Sequence, residues 1–263
     1  MIKKLGLWVS GLGLILVQSC SVNTETTYYK DSASSMESNI LMDKSMLGMM
    51  NMMGDQKDIL QNSKEFGKLT TDWQSLYDIQ KDGLITVNKD SVKVLHKMFM
   101  KINKEKGEIY GLSLKYDKLL PTEIGALLNQ SKELKNIPLQ NVGKWDGKTL
   151  TINTDRLNSA SFLSKVEGTA DQKAIKNPTT KSDSIEVYGK KMAEGLMGMM
   201  KMFPITFSNT IKFQKPIKSI VGKHDNVKQI DKRTIQINLR SNDVLDEKNV
   251  LTDKDKQIII TTE

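Results

Sequence analysis

Cys20 is the only cysteine in this chain of 263 residues. A thiol can accept an acyl group, bind a soft metal or pair with a second thiol, and a chain without a second cysteine cannot form an internal disulfide. Thioethers supply the remaining sulfur. Of fifteen methionines, nine fall in two short stretches: Met46, Met49, Met50, Met52 and Met53, then Met197, Met199, Met200 and Met202. Closely spaced thioethers favour Cu(I) in an oxidising compartment, where thiolates are scarce. Their spacing favours packing more strongly. Met46, Met49, Met50 and Met53 stand at i, i+3, i+4 and i+7, one face of a helix, and Met192, Leu196, Met199, Met200 and Phe203 repeat that spacing. Methionine is a flexible core filler with good helix propensity. Met46-Leu47-Gly48-Met49-Met50 aligns with Leu196-Met197-Gly198-Met199-Met200 at a fixed offset, but the flanks do not align. The match therefore points to a shared packing task rather than a duplication. Two Met-rich helices touching over one sheet are expected, with a partner- or lipid-binding groove as the second reading.

The other groups that could do chemistry are scattered. His96 and His224 are the only histidines, and no HExxH, paired-cysteine or EF-hand spacing occurs. There is no Gly-x-Ser-x-Gly and no phosphate-cradling loop ending in Lys-Ser/Thr. Asp72 with Asp78, or Glu65 with Asp72, could serve as acid and base, although carboxylates so placed are most often solvated surface. No cofactor or metal is expected. The formal charge is +8, with Lys and Arg spread along the chain and only Arg156, Arg233 and Arg240 among the arginines. That balance suits approach to anionic headgroups or polyanionic glycans, while the lack of an Arg-aromatic surface argues against nucleic acid.

The positioning elements read as antiparallel β with covering helices. Residues 21–35 are polar and rich in Ser and Thr, the composition of a tether. Met36 to Met42 reads as a strand and the first Met helix follows. Apolar residues alternate from Val92 to Ile102 and again from Tyr110 to Tyr116, around a Lys104-Glu105-Lys106-Gly107 turn, which predicts a long hairpin. Pro121 opens a helix running to about Asn136. Val142–Trp145, Asp146-Gly147 and Lys148–Thr154 carry the sharpest hairpin signal, because Asp-Gly supplies the positive φ of a tight turn. Residues 158–183 lose all periodicity, as a long loop or linker would. The second Met helix ends at Pro204, and strands are expected at Ile205–Phe213, Ile217–Val221, Val227–Ile230, Thr234–Leu239 and Gln257–Thr262. The expected class is α+β: an antiparallel sheet covered by two or three helices, two of them Met-rich.

What precedes Cys20 gives the thiol its meaning. Lys3 and Lys4 are followed by an apolar run from Leu5 to Val17, too short to span a bilayer comfortably and interrupted by Gly6, Gly11 and Gly13. Val17-Gln18-Ser19-Cys20 resembles the lipobox of bacterial lipoprotein precursors: aliphatic, variable, small, cysteine. The resemblance implies diacylglycerol on the Cys20 sulfur, cleavage between Ser19 and Cys20, and a further acyl chain on the new amino group. Two or more chains hold a protein firmly to a membrane, where one is marginal. Removing residues 1–19 also removes Lys3 and Lys4 and no acid, lowering the charge by two.

Asp43-Lys44-Ser45-Met46 with its methionine helix, and the segment from Phe203-Pro204 to Ile217-Lys218-Ser219-Ile220, make the body similar to uncharacterised envelope lipoproteins of Bacteroidota. That likeness implies an α+β body at a membrane surface and supplies no reaction. The sequence thus leads to a signal peptide over residues 1–19, an acylated cysteine with a polar tether over 20–35, and a body over 36–263. The expected role is non-catalytic binding or structure at the outer membrane, with envelope proteins as partners. A lipid- or soft-metal-binding module using the Met helices, and a hydrolase of envelope glycan or lipid, are the competing classes.

Overall fold

In a computed structural model of the chain, the described residues are 20–43, 47–48, 69–81, 92–130, 143–154, 157, 205–240 and 252–263. Numbered in chain order, the strands are β1 (Cys20–Tyr28), β2 (Ser34–Met42), β3 (Gln74–Ser75), β4 (Met98–Glu105), β5 (Glu108–Leu119), β6 (Gly143–Trp145), β7 (Thr149–Asn153), β8 (Ile205–Phe213), β9 (Ile217–Val221), β10 (Val227–Asp231), β11 (Thr234–Arg240) and β12 (Gln257–Thr262). The helices are α1 (Leu76–Lys81), α2 (Val92–Leu95) and α3 (Pro121–Gln130). They make two sheets. The larger has eight strands in the order β10-β11-β8-β1-β2-β5-β4-β3, and the smaller has four, β6-β7-β12-β9. Sheet dominates and the described helices are short, so the helical share expected from sequence is larger than the share described.

The largest correction concerns residues 20–35. The polar tether is absent, because Cys20–Tyr28 is a strand in the middle of the large sheet. It pairs antiparallel with β2 from Cys20↔Met42 to Tyr28↔Ser34, and parallel with β8 from Cys20↔Ile205 to Tyr28↔Phe213. Cys20, Val22, Thr24 and Thr26 are buried on one face, and Asn23 and Glu25 are exposed on the other. Threonine has the β-branched shape that fits a pleated sheet, and its hydroxyl hides this in a reading by hydrophobicity. The parallel pairing also makes the sheet mixed rather than purely antiparallel.

A smaller difference has a local cause. Val92 to Leu95 is helical, and the strand begins only at Met98. Val94 and Leu95 are consecutive and both buried, which a helical turn achieves and a one-faced strand does not. Gln74–Ser75 forms a short edge strand, and Ser75 then caps α1. Its Oγ accepts from the Asp78 backbone N–H at 3.1 Å and donates to the Asp78 carboxylate at 2.7 Å. The expected Met helices, with Met46, Met49, Met50, Met53, Met199, Met200 and Met202, lie outside the described residues, as do residues 1–19 and 158–183.

Elsewhere the periodicity translates directly. The hairpin of β4 and β5, the helix opened by Pro121 and all five C-terminal strands occur where their patterns stand, although α3 is described only as far as Gln130. Glu123 completes the cap of α3 by accepting the Leu120 N–H at 2.8 Å, and it also binds Lys97 Nζ at 3.1 Å. These contacts, the backbone N–H first, hold its carboxyl below the usual range.

Among the described residues the core lies in two clusters. One, beneath β2, β4 and β5, joins Met36, Met98, Ile102, Tyr116 and Leu119 to Leu76, Ile79, Val94 and Leu95 of α1 and α2. The other joins Ile211, Phe213, Ile235 and Ile237 of the large sheet to Trp145, Leu150, Ile152, Ile258 and Ile260 of the small one. Tyr28, Trp145 and Phe213 meet with centroids 5.2–6.0 Å apart, and the Trp145 indole donates to the Tyr29 carbonyl at 2.8 Å.

The Asp-Gly turn between β6 and β7 is placed as expected. Asp146 Oδ1 accepts from the Lys148 and Thr149 N–H groups at 2.9 and 2.7 Å, and Gly147 has φ +103°. A Cβ on Gly147 would come within 2.8 Å of the Lys30 carbonyl oxygen and 2.9 Å of Ser32 Oγ. Gly147→Ala should therefore lower stability by about 2 kcal/mol through positive φ and contact combined. Denaturant unfolding checks this, and an unchanged midpoint would contradict it.

Candidate functional site

Cys20 opens β1 at one end of the large sheet, on the rung it shares with Met42 and Ile205. Register sets what lies behind it. The next inward rung holds Val22 with Ile40, Phe207, Leu112, Ile102 and Leu239 across six strands. The rung after that turns polar: Thr24 meets Ser38, with their hydroxyls 3.0 Å apart, and Asn209 lies on the other side. Asn209 Oδ1 accepts from Thr26 at 3.4 Å. Further in, Ser34 Oγ and the Tyr116 hydroxyl are 3.1 Å apart, and burial raises the Tyr116 pKa. Cys20 thus ends an apolar strip two rungs deep, closed by a buried hydroxyl row.

The thiol itself is 3 % exposed. Burial, aided by the nearby Asp43 carboxylate, pushes its pKa up to about 11. A protonated, enclosed thiol is neither a good nucleophile nor a good soft-metal ligand. Chemistry at this sulfur therefore belongs to a chain whose first rung is open. A terminal rung is the cheapest part of a sheet to open. Ser19, the other half of the expected cleavage point, lies outside the described residues, as do the methionines of the expected binding helices.

Of the remaining candidates, Glu65 lies outside the described residues, Asp72 is exposed, and His96 and Asp78 have structural partners. His96 stacks on Tyr77 with centroids 3.9 Å apart. Asp78 caps α1. An open depression of about 500 Å³ is lined by Lys212, Phe213, Asp231, Lys232, Arg233 and Thr234. Its carboxylate, Asp231, is already held by the Arg233 N–H at 2.6 Å, which keeps its pKa low. Among the described residues, no three His, Cys, Asp or Glu side chains are placed to hold a metal ion, and no helix is long and apolar enough to cross a membrane.

His224 is 7 % exposed in the turn before β10, where its Nδ1 accepts the Asn226 N–H at 3.2 Å. Burial lowers its pKa, against the opposing pull of Asp225. The unfolded chain therefore takes up the proton first. Stability linked to His224 is complete above about pH 6.5 and falls as pH drops through the lower folded value. The urea midpoint of the native protein should fall between pH 7.5 and 5 more than that of His224→Asn. Parallel pH profiles would refute this.

Sequence reading missed one surface. The face of the large sheet opposite Cys20 is polar, with Asn23, Glu25, Glu37, Asn39, Ser113, Lys115, Lys101 and Asn103 in register across β1, β2, β5 and β4. Trp73 stands beside it, next to the edge strand β3, with Lys101 Nζ 4.8 Å and Lys115 Nζ 4.9 Å from its ring centroid. The available signal was Trp73 close to two strands carrying alternate lysines, but the register that joins them is not local.

No protein-family model matches the chain, and no curated protein matches it. Among solved structures, a folded bacterial protein domain aligns over most of the length. It is the domain of LppM from Mycobacterium tuberculosis determined by NMR, at 10% identity over 94% of this chain and 91% of that one, with a TM-score of 0.38. At that score the likeness carries no argument about fold or function.

Proposed function

We propose that the chain is a membrane-anchored envelope lipoprotein, acylated at Cys20, whose body has a non-catalytic binding or structural role. The observation that carries the reading is the lipobox itself, Val17-Gln18-Ser19-Cys20, with its cysteine placed in β1. Cleavage before Cys20 keeps Cys20–Tyr28 intact, whereas cleavage a few residues later would cut into that strand.

Attachment is then direct, with no spacer between the acyl chains and the sheet. The hydrocarbon leaves outward past Met42 and Ile205. Inward it would reach the Thr24–Ser38 hydroxyl rung about 13 Å from Cys20. A chain that crosses one leaflet needs about 15 Å of apolar surroundings. The sheet end carrying Cys20 therefore faces the bilayer, and the Tyr28 end points away from it. Because the sulfur is enclosed once β1 pairs, acyl transfer comes before that pairing. Incorporation of labelled palmitate into the native chain, and its loss in Cys20→Ser, tests the reading; a soluble, unlabelled native protein would end it.

A further inference from the structure

The polar sheet face beside Trp73 carries two lysines that are handled differently from their neighbours. On β5 and the turn before β4, Lys118 binds Asp31 at 2.9 Å and Lys97 binds Glu123 at 3.1 Å. Lys101 and Lys115 instead lie against aromatic rings. Both are within 4.9 Å of the Trp73 centroid, and Lys115 is also 5.0 Å from that of Phe99. The register places Glu37 directly across from Lys115, yet the ammonium turns toward the rings and forms no ion pair with that carboxylate. Cation–π contact holds a charge in place without neutralising it. The result is two positioned ammonium groups flanking one half-buried indole.

We propose that Trp73, Phe99, Lys101 and Lys115 form a binding site for an acidic polysaccharide. A carboxylate on a sugar ring would satisfy both ammonium groups through charge-assisted hydrogen bonds. Next to the lysines, a chain of amides and hydroxyls crosses three strands. Asn103 Nδ2 donates to Ser113 Oγ at 2.9 Å, Ser113 donates to Asn39 Oδ1 at 2.5 Å, and Asn39 Nδ2 donates to Glu37 at 3.4 Å. This row spans about 10 Å, the reach of two sugar units; Ser113 at its centre is fully buried and holds the half-buried Asn39 and Asn103 amides, which are the groups left to meet ring hydroxyls. A bilayer surface is the poorer fit, because headgroup attraction needs charge alone and makes no use of a flat amide row. The site does not depend on acylation of Cys20.

The test uses the full chain in neutral detergent, titrated with polygalacturonate and with neutral dextran. In a Trp8→Phe background, tryptophan emission should change on adding polygalacturonate and not on adding dextran, since Trp145 is 6 % exposed and Trp73 is then the accessible reporter near the site. The change should be lost in Trp73→Phe. Affinity should fall steeply with salt, and by about tenfold in each of Lys101→Gln and Lys115→Gln, with unfolding midpoints unchanged. Equal affinity in the double glutamine variant, equal binding of dextran, or binding to phosphatidylglycerol vesicles without binding to polygalacturonate would each overturn the proposal.

Discussion

A chain from which residues 21–28 have been deleted will not fold. Those residues carry the composition of a tether, and a tether can be shortened without penalty. As β1 they are bonded to β2 on one side and β8 on the other, and they link the halves of the large sheet that bear the two cores. Removing them bares two inner strand edges and leaves each half without its neighbour. Cooperative thermal unfolding, followed by circular dichroism, should disappear. A point change separates the strand from its length. Val22 is 3 % exposed, so Val22→Asp places an unpaired carboxylate in the sheet interior at a cost of about 3 kcal/mol or more. Asn23→Asp, one residue on and facing solvent, should cost about 0.5 kcal/mol or less. A native melt from the deletion, or equal costs from the two substitutions, would show that the segment is no strand.

The second large effect is on location. Cys20→Ser should move the protein from the membrane fraction to the soluble one and abolish palmitate labelling. Each methylene of the lost chains contributes about 0.8 kcal/mol to membrane affinity, so two chains hold the body firmly and none leaves it free. The fold should survive. Replacing one thiol on a terminal rung costs about 1–2 kcal/mol, which the unfolding midpoint will report. Val22→Ala provides the contrast, because it weakens the same strand and leaves the anchor intact. If Cys20→Ser stays with membranes as firmly as the native chain, direct acyl attachment is wrong.

Legibility followed the locality of the cause. The hairpin at Asp146-Gly147 was readable because both the turn chemistry and the alternating residues sit within a dozen positions. The five C-terminal strands were readable for the same reason, as runs such as Gln257–Thr262 alternate cleanly between buried and half-buried positions. β1 was not, because its inward residues include Thr24 and Thr26, whose hydroxyls are satisfied by Ser38 and Asn209 on other strands. Burial of such residues is decided by partners far away in sequence. The helical turn at Val92–Leu95 was hidden by an accidental alternation. At the candidate anchor, the lipobox resemblance is legible in the sequence and the surroundings of Cys20 are not: nothing near Val17-Gln18-Ser19-Cys20 announces Ile205 as a neighbour. The Trp73 surface was illegible throughout, since β3, β4 and β5 meet there only through tertiary register.

The parallel pairing of β1 with β8 sets an order of events during biogenesis. On the proposed reading the chain is exported N-terminus first, so Cys20 is delivered long before Ile205, the residue it must stand beside. Until the last third has been translocated, β1 can close on β2 but keeps its other edge bare, and such distant closures are slow. If acylated at Cys20 as proposed, the chain completes this step crowded among copies of itself on a two-dimensional surface. There an open edge finds a neighbour's strand as readily as its own. The first strand out is the last to be sheltered, and a holding chaperone acting in that interval would have β1 as its client.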